Sequence, residues 1–468
     1  MTQVSRKSKP PFASPAVSAR RSRGSLLVRS QRELADYSRC VGEFLEYWAE
    51  LLPGRSFLVE RSTRGSWRHL TYAQTRLRVR RIAAWLIERR ISPSRPVAIL
   101  SENSIEHALL MLGCLHAGIP VAPISAGRSA AELKAWIQAL DPSLVYVGEP
   151  ERSELPKLVG SFDGLLVVGG DDPPDAAIPF AALASDRDSL VTRALSAVKP
   201  DTVAKILWSR DAAGEPRGVI TTQRMLCSNQ SAIAQLWPFI EELPVLIDGL
   251  PWSGAFGGNL GFNLALRNGG VLYIDRGRTA PGHFDETLAN LRDVAPTVCL
   301  SDPDACTLLV GSLRRDEHFR QRFFRRLKLI LCAGLLPEDV FEALQTLARE
   351  ATDRELPVLS SWGLAETAPL AVAGHFLVDH AKVIGLPLPG TELKLVPHGE
   401  QFEARVRGPN VTPGYWKRLD LTASAFDAEG FFKTGEAVRF ADRARPERGL
   451  IYDGRVSSFE LDHCEVAG

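Results

Sequence analysis

The sequence predicts an α/β fold, with two βαβ subdomains that have mostly parallel sheets and a small β-barrel-like subdomain after them. From residue 70, short β-branched runs alternate with amphipathic helical stretches, which is the pattern of parallel βαβ units. A second series of such runs begins at residue 204. After residue 384 the sequence changes to short strands and turns without long helices, which favours a compact β structure.

The first βαβ block carries clear helix boundaries. Thr71 and Gln74 have the spacing of a capping box and precede an apolar stripe, so a helix is expected to begin there. A second helix is expected to begin at a cap formed by Asn103 or Ser104 and to end at Gly118. Strands are predicted at 96–100, 120–124 and 144–148.

In the second block, strands are predicted at 204–209, near 250, and at 269–274, 297–300 and 327–332. We expect one large domain over residues 31–468. Its subdomains are predicted at about 31–200, 201–383 and 384–455.

Residues 1–30 are rich in arginine and lysine and contain no acid, which predicts a disordered basic leader. A transit peptide has the same composition, but Pro10, Pro11 and Pro15 disfavour the amphipathic helix that such a peptide forms. The leader without a targeting role is therefore the preferred interpretation.

Composition narrows the class of protein. The 468 residues carry a net charge of +1, so no strong field attracts nucleic acid or an anionic membrane. No apolar run approaches the roughly 20 residues that cross a bilayer. The seven cysteines form no CxxC pair, which suits a reducing cytoplasm. We expect a cytoplasmic, enzyme-sized protein; the composition gives no oligomeric state.

The segment LWSRDAAGEPRGVITT at 207–222 is the most informative stretch. It predicts a strand, then a loop of small residues, then a helix, and such a loop offers backbone N–H groups to a phosphate. The alternative is a solvated loop with a pair formed by Arg210 and Asp211. Both interpretations stay open at this point.

Several long strings resemble the adenylate-forming acyl-CoA synthetase (AMP-binding) superfamily, most closely its feruloyl-CoA synthases. Examples are TYAQTRLRVRRIAAWL, AILSENSIEHALLMLGCLHAGIPVAPIS, LRNGGVLYID and VRGPNVTPGYW, and the similarity runs from residue 24 to the end of the chain. The resemblance implies that Mg-ATP activates an aryl or acyl carboxylic acid as an acyl adenylate, and that the CoA thiol then forms a thioester.

In that family the loop usually reads TSGSTGxPKG. The resemblance implies a catalytic role for Arg217 and cofactor binding by Gly214 and Gly218. Four family residues (Ser, Gly, Ser and Thr) are replaced here by Arg210, Asp211, Ala212 and Ala213. At about 5 Å and an effective dielectric near 20, Asp211 would repel each phosphate charge by about 3 kcal/mol. We therefore expect impaired ATP binding.

SSWGLAETAP at 360–369 resembles the family's SWGSTETAP. The resemblance implies that Trp362 and Gly363 contact the adenine side, that Glu366 is catalytic and holds Mg²⁺, and that Thr367 is catalytic. Ala365 replaces a phosphate-binding threonine. Glu366 could instead be an acidic partner of a helix dipole.

Three further positions are assigned to the nucleotide by resemblance. Gly334 lies in LCAGLLPED, a version of the adenine loop that is one residue short. Glu436 replaces the aspartate that accepts the ribose hydroxyls, so affinity should fall without vanishing. Arg455 matches a ribose-contacting arginine, and an ordinary surface arginine is an equal alternative.

DGLPWSGAFGGN at 248–259 resembles the wall of the family's acid pocket. The implied substrate residues are Trp252, Phe256, Gly257 and Gly258, although both aromatic residues could equally be core. Related enzymes continue beyond the position of Gly468 into a small C-terminal domain, whose absence is expected here. Two hypotheses follow: an acid–CoA ligase with altered motifs and impaired activity, or an inactive relative that binds a small acid or a partner.

Overall fold

The computed structural model describes residues 12–62, 64–158, 160–170, 172–210, 216–279 and 282–456. Its strands in the first half of the chain are β1 (Val17–Ser22), β2 (Ser25–Ser30), β3 (Ser56–Arg61), β4 (Trp67–Thr71), β5 (Val97–Leu100), β6 (Val121–Ile124), β7 (Leu144–Val147), β8 (Leu165–Val168), β9 (Ile178–Pro179), β10 (Val203–Arg210) and β11 (Pro216–Thr222). Those in the second half are β12 (Val245–Asp248), β13 (Val271–Ile274), β14 (Val298–Ser301), β15 (Leu329–Cys332), β16 (Val358–Gly363), β17 (Leu370–Ala373), β18 (Val383–Pro387), β19 (Glu392–His398), β20 (Gln401–Arg407), β21 (Phe432–Phe440) and β22 (Leu450–Arg455).

The α-helices lie mostly between the strands of the two βαβ blocks, and the last one lies between β20 and β21. They are α1 (Gly42–Leu51), α2 (Tyr72–Glu88), α3 (Ile105–Ala117), α4 (Ala130–Leu140), α5 (Leu155–Leu158), α6 (Asp188–Ala197), α7 (Gln223–Leu236), α8 (Phe262–Arg267), α9 (Phe284–Asp293), α10 (Pro303–Arg315), α11 (Glu317–Phe324), α12 (Glu338–Thr352) and α13 (Leu419–Ser424). Within the described ranges, none of these helices is long and apolar enough to cross a bilayer.

The α/β class is confirmed. A seven-stranded sheet has the order β11-β10-β6-β5-β7-β8-β9, and its strands β5 to β8 run parallel. A four-stranded sheet has the order β12-β13-β3-β4, with β12, β13 and β3 parallel. An eleven-stranded sheet runs from β1 at one edge to β14 at the other. Buried aliphatic and aromatic side chains of α2, α3, α7 and α8 fill the main core between these sheets.

The predicted helix boundaries are confirmed where a local signal sets them. Thr71 accepts the N–H of Gln74 at 3.2 Å, and Gln74 Oε1 accepts the N–H of Thr71 at 3.0 Å, which completes the capping box. Ser104, rather than Asn103, caps α3 by accepting the N–H of His107. Gly118 ends α3 at a φ of 72°, a conformation that glycine adopts without a Cβ penalty.

Two sequence-based expectations for the β structure are wrong. Residues 17–30 are not a disordered leader, because β1 and β2 form a hairpin whose second strand pairs with β19 and buries Leu27 and Val28. Residues 1–11 of the predicted leader lie outside the described residues. The strands after residue 384 form no closed barrel in the described part of the chain. They continue one sheet with β14 to β17, so the boundary near 384 stays a prediction.

Candidate nucleotide site and the adjoining cavity

The positions that the resemblance assigns to phosphate and Mg²⁺ contact one another. Arg217 Nη2 lies 3.2 Å from Glu366 Oε1, and Tyr415 Oη donates to the same oxygen at 3.1 Å. The Arg217 guanidinium stacks 4.7 Å above the Tyr415 ring. Glu366 is only 4% exposed, so its charge is neutralised within the protein rather than by solvent. We call these three residues the arginine–glutamate cluster.

Burial raises the pKa of Tyr415, and the adjacent Glu366 raises it further. The phenol therefore stays protonated and donates its hydrogen bond throughout the physiological range. Thr367 lies beside the cluster, but its hydroxyl accepts the N–H of Leu364 at 2.8 Å and donates to the carbonyl of Pro369. The hydroxyl of Thr367 thus stabilises the turn between β16 and β17.

The adenine and ribose positions also contact each other. Trp362 Nε1 donates to Glu436 Oε2 at 2.6 Å, and Glu436 is buried. Burial raises the pKa of Glu436, while Trp362 and the nearby Arg455 partly offset that rise. Arg455 pairs with Glu436 across β21 and β22 but is itself exposed at the edge of a separate 590 Å³ surface cavity.

The glycines assigned to the nucleotide site are required for two different reasons, steric contact and backbone conformation. A Cβ at Gly363 would lie 1.8 Å from the carbonyl oxygen of Pro369, and one at Gly218 would lie 2.8 Å from Ile206 Cγ2. A Cβ at Gly334 would be in ordinary van der Waals contact with Pro303 at 3.5 Å, but the φ of +135° is one that only glycine adopts easily. Gly214 lies outside the described residues, as do Asp211, Ala212 and Ala213. The side chain of Arg210 is likewise not described.

The expected order of strand, loop and helix at 207–222 is wrong. Residues 216–222 form β11, which pairs antiparallel with β10. Helix α7 begins only at Gln223, where the side chain of Thr222 caps it. No helix N-terminus follows the loop directly, so any anion at this loop must be bound by the hairpin itself.

The predicted acid-pocket residues pack tightly. Trp252 is fully buried, and Phe256 is partly buried against the core. The turn Phe256–Gly261 is a π-helix, and a Cβ at Gly257 or Gly258 would lie 2.5 Å and 2.2 Å, respectively, from a backbone carbonyl oxygen. These glycines are therefore required by backbone packing. Trp252 also borders the large cavity described below.

Two buried charged residues beneath this turn were missed by sequence reasoning. Lys205 Nζ donates to the carbonyl of Gly258 at 2.6 Å, and burial lowers the pKa of Lys205 to about 7. Asp248 accepts hydrogen bonds from the N–H of Leu250 and from Trp252 Nε1, and burial raises its pKa to about 7. A lysine within the apolar run at 203–208 was the available signal.

A cavity of 1130 Å³ lies at the carboxyl ends of the parallel strands. The first residue after each of six strands lines it: Ser101, Ser125, Gly148, Gly249, Asp275 and Asp302. Eight carboxylates face four guanidiniums in its lining: Glu60, Glu102, Glu106, Glu149, Glu151, Glu154, Asp275 and Asp302 against Arg61, Arg68, Arg276 and Arg278. This acidic cavity was not predicted from the sequence, although clefts at strand ends commonly bind ligands.

Comparison with known proteins agrees with the architecture. The model of the family described as AMP-binding enzyme matches residues 45–416. A substituted indenyl-propanoyl:CoA ligase of Rhodococcus jostii is 27% identical over 80% of this chain and 73% of its own length. A feruloyl-CoA synthase of Amycolatopsis is 24% identical over 79% and 71%.

A solved structure from Rhodopseudomonas palustris, described as a long-chain-fatty-acid CoA ligase, has the same fold. Its TM-score is 0.74 at 23% identity, and the match covers 89% of this chain and 99% of that one. The family match spans most of the chain. It confirms the resemblance to the AMP-binding superfamily that the sequence motifs indicate. This chain belongs to the AMP-binding enzyme family, whose members include acyl-CoA ligases.

Proposed function

We propose that this chain is a feruloyl-CoA synthase-like acid–CoA ligase relative whose ATP-dependent step is impaired. The family generally uses ATP, Mg²⁺ and CoA on small carboxylic acids. The observation that carries the proposal is the ion pair between Arg217 and Glu366. Magnesium is bound by carboxylate oxygens that are free to coordinate it, and here Glu366 Oε1 already has two donors. Binding of Mg-ATP through this oxygen requires that the arginine–glutamate contact be broken, which supports an impaired ATP-dependent step.

The base and ribose positions support the same conclusion. A nucleotide that used Glu436 would have to displace Trp362 from its 2.6 Å hydrogen bond. A hydrogen bond to a charged group contributes roughly 1.5–3 kcal/mol, so breaking this contact and the arginine–glutamate contact costs roughly 3–6 kcal/mol. We therefore expect ATP affinity to be at least about 100-fold lower than in an unhindered site.

The alternative function is a non-catalytic relative that binds a small acid or a partner. The 1130 Å³ cavity supports a binding role apart from the nucleotide positions, because the cavity is lined by none of Arg217, Glu366, Trp362 or Glu436. Its volume suits a ligand somewhat larger than a typical drug. We further propose a cytoplasmic location, since the six described cysteines are buried and unpaired, as in a reducing compartment.

Calorimetric titration with Mg-ATP and ferulate-dependent pyrophosphate exchange test the proposal. We expect no saturable ATP binding at micromolar concentrations and no exchange above the control without protein. An active feruloyl-CoA synthase measured in parallel establishes that the assay works. Micromolar ATP binding together with ferulate-dependent exchange would show an intact ligase, whereas ATP binding without exchange would confine the defect to the chemical step.

A further inference from the structure

The lining of the large cavity has two walls that differ in their charge pairing. On one wall, Glu60 forms ion pairs with Arg68 at 2.7 Å and with Arg276, and Glu102 pairs with Arg278 at 2.6 Å. These contacts use three of the four guanidiniums that line the cavity. The first wall is therefore close to electrically balanced.

The second wall carries Glu106, Glu149 and Glu151. Within the part of the chain that the structure describes, none of the three has an arginine or lysine partner at ion-pairing distance. Glu106 Oε2 accepts a hydrogen bond from Tyr146 Oη at 2.6 Å, which is a neutral contact. We call these three residues the acidic wall.

Glycines at the ends of two neighbouring strands make room for the acidic wall. Gly148 follows β7, while Gly169 and Gly170 follow β8, and β7 pairs with β8 in parallel. A Cβ at Gly148 would lie 2.2 Å from Glu151 Oε2. At Gly169 it would lie 2.8 Å from Glu106 Oε2, and at Gly170 2.9 Å from Glu149 Oε1 and 2.7 Å from Arg152 Nη2. Each of the three carboxylates thus lies against a glycine at one of these adjoining strand ends, and Glu149 has the Arg152 guanidinium nearby without a direct ion pair.

Glu151 gives independent evidence that a group is missing. It is only 4% exposed, its Oε1 accepts the N–H of Glu102 at 3.2 Å, and its Oε2 is buried without a hydrogen-bond partner. A buried carboxylate oxygen without a donor from the protein is costly, because no protein group replaces the hydrogen bonds lost on burial. Burial also raises the pKa of Glu151 and of Glu106. A donor that carried positive charge would remove this deficit.

The chemistry of the acidic wall restricts the donor. Among the described residues, no group of three His, Cys, Asp or Glu side chains is arranged to hold a metal ion. The excess of carboxylates repels anions such as free acids or nucleotides. Separate carboxylates along one wall of a large cavity instead match a chain with several spaced cationic donors. We propose that this cavity binds an aliphatic polyamine through Glu106, Glu149 and Glu151.

Spermidine is the probe for a calorimetric titration of the full chain. We expect saturable binding with a stoichiometry of one, and a dissociation constant raised at least tenfold, about 1.4 kcal/mol, in the double variant Glu106→Gln, Glu151→Gln. Glutamine keeps the contacts of Glu106 Oε2 and Glu151 Oε1 but removes the charges. The control Glu342→Gln, Glu350→Gln makes the same charge change on exposed positions of α12 and should bind as the unaltered chain does.

Three outcomes would overturn the proposal: no saturable binding up to about 10 mM, an equal loss in both double variants, or tighter binding of the dianion glutarate than of spermidine. If the cavity double variant fails to fold, Glu149→Gln replaces it, because Glu149 is exposed and tolerant of change. We expect roughly threefold weaker binding in that variant, and unchanged binding would contradict the proposal. The assay contains no ATP, so its result is independent of the proposed ligase function.

Discussion

The arginine–glutamate cluster and the acidic wall of the cavity differ in how far their buried carboxylates are satisfied by donors. In the cluster, Glu366 has both a cationic and a neutral donor within 3.2 Å. In the acidic wall, Glu151 has a buried oxygen with no donor. A site that satisfies its own charges gains little from a ligand, whereas a site that is short of positive charge gains much. From this comparison we expect a cationic ligand to gain more at the strand-end cavity than a nucleotide gains at the arginine–glutamate cluster.

The largest predicted effect concerns Lys205, whose pKa is lowered from 10.5 to about 7 by burial. A lowered lysine pKa gives a stability contribution that is present above the unfolded pKa and is lost as pH falls through the folded pKa. The free energy of unfolding should therefore rise by about 4 kcal/mol between pH 7 and 10.5. Lys205→Met should lack this rise.

Urea unfolding at several pH values measures that difference. The exposed Lys134→Met is the matched control, and its pH dependence should follow that of the unaltered chain. The quantity of interest is the difference between each variant and the unaltered chain, since other groups also titrate in this range. If the free energy of unfolding of Lys205→Met rose equally with pH, Lys205 would be solvated in the unaltered chain. The energetic difference between buried charges with and without a charged partner would then be smaller than we infer.

The second predicted effect concerns the ion pair of the cluster. Arg217→Met leaves the nearly buried Glu366 with only the hydroxyl of Tyr415, and we expect a loss of roughly 2–3 kcal/mol because Arg217 is itself partly exposed. Combining it with Glu366→Gln should recover part of that loss, since no charge is then left unpaired. Equilibrium urea unfolding of the two single variants and the double variant gives the coupling energy. Additive losses would show that the two residues do not interact.

The fold was predictable where short-range chemistry decides it. The capping box at Thr71, the cap at Ser104 and the glycine at 118 are local signals, and each marks a helix end in the structure. The strand at 216–222 was also signalled, since Val219, Ile220, Thr221 and Thr222 are consecutive β-branched residues. The family's loop-to-helix pattern outweighed that signal in the sequence interpretation.

The site was less predictable, because it depends on which residues face each other across sheets. Arg217 and Glu366 were both selected from motifs, but only the arrangement of β11 against the turn after β16 brings them into contact. The acids after β5 and β7 were visible in the sequence as SEN and GEPE. The ion pairs of the cavity were not visible in the sequence, because acid and arginine lie on different elements. Glu60 on β3 pairs with Arg68 on β4 and with Arg276 after β13, and Glu102 after β5 pairs with Arg278.

The smallest predicted effect compares two glutamates three residues apart at the cavity. Glu151 has an oxygen without a donor, whereas both oxygens of Glu154 accept from Lys157 Nζ, at 2.9 Å and 2.8 Å. Glu151→Gln should raise the free energy of unfolding at neutral pH by about 1 kcal/mol, because it removes a buried charge that the N–H of Glu102 compensates only in part. Glu154→Gln should lower it, since Lys157 then loses its anion.

The pH dependence of this pair supplies the check. Burial raises the pKa of Glu151 above 4.5, so its stability contribution is present below the unfolded pKa and is lost as pH rises through the folded one. The gain from Glu151→Gln should thus disappear below pH 4.5 in thermal or urea unfolding. Saturating spermidine should reduce this gain at neutral pH, because a ligand stabilises most the chain that binds it more tightly. A gain of equal size with and without spermidine would mean that the amine does not contact Glu151.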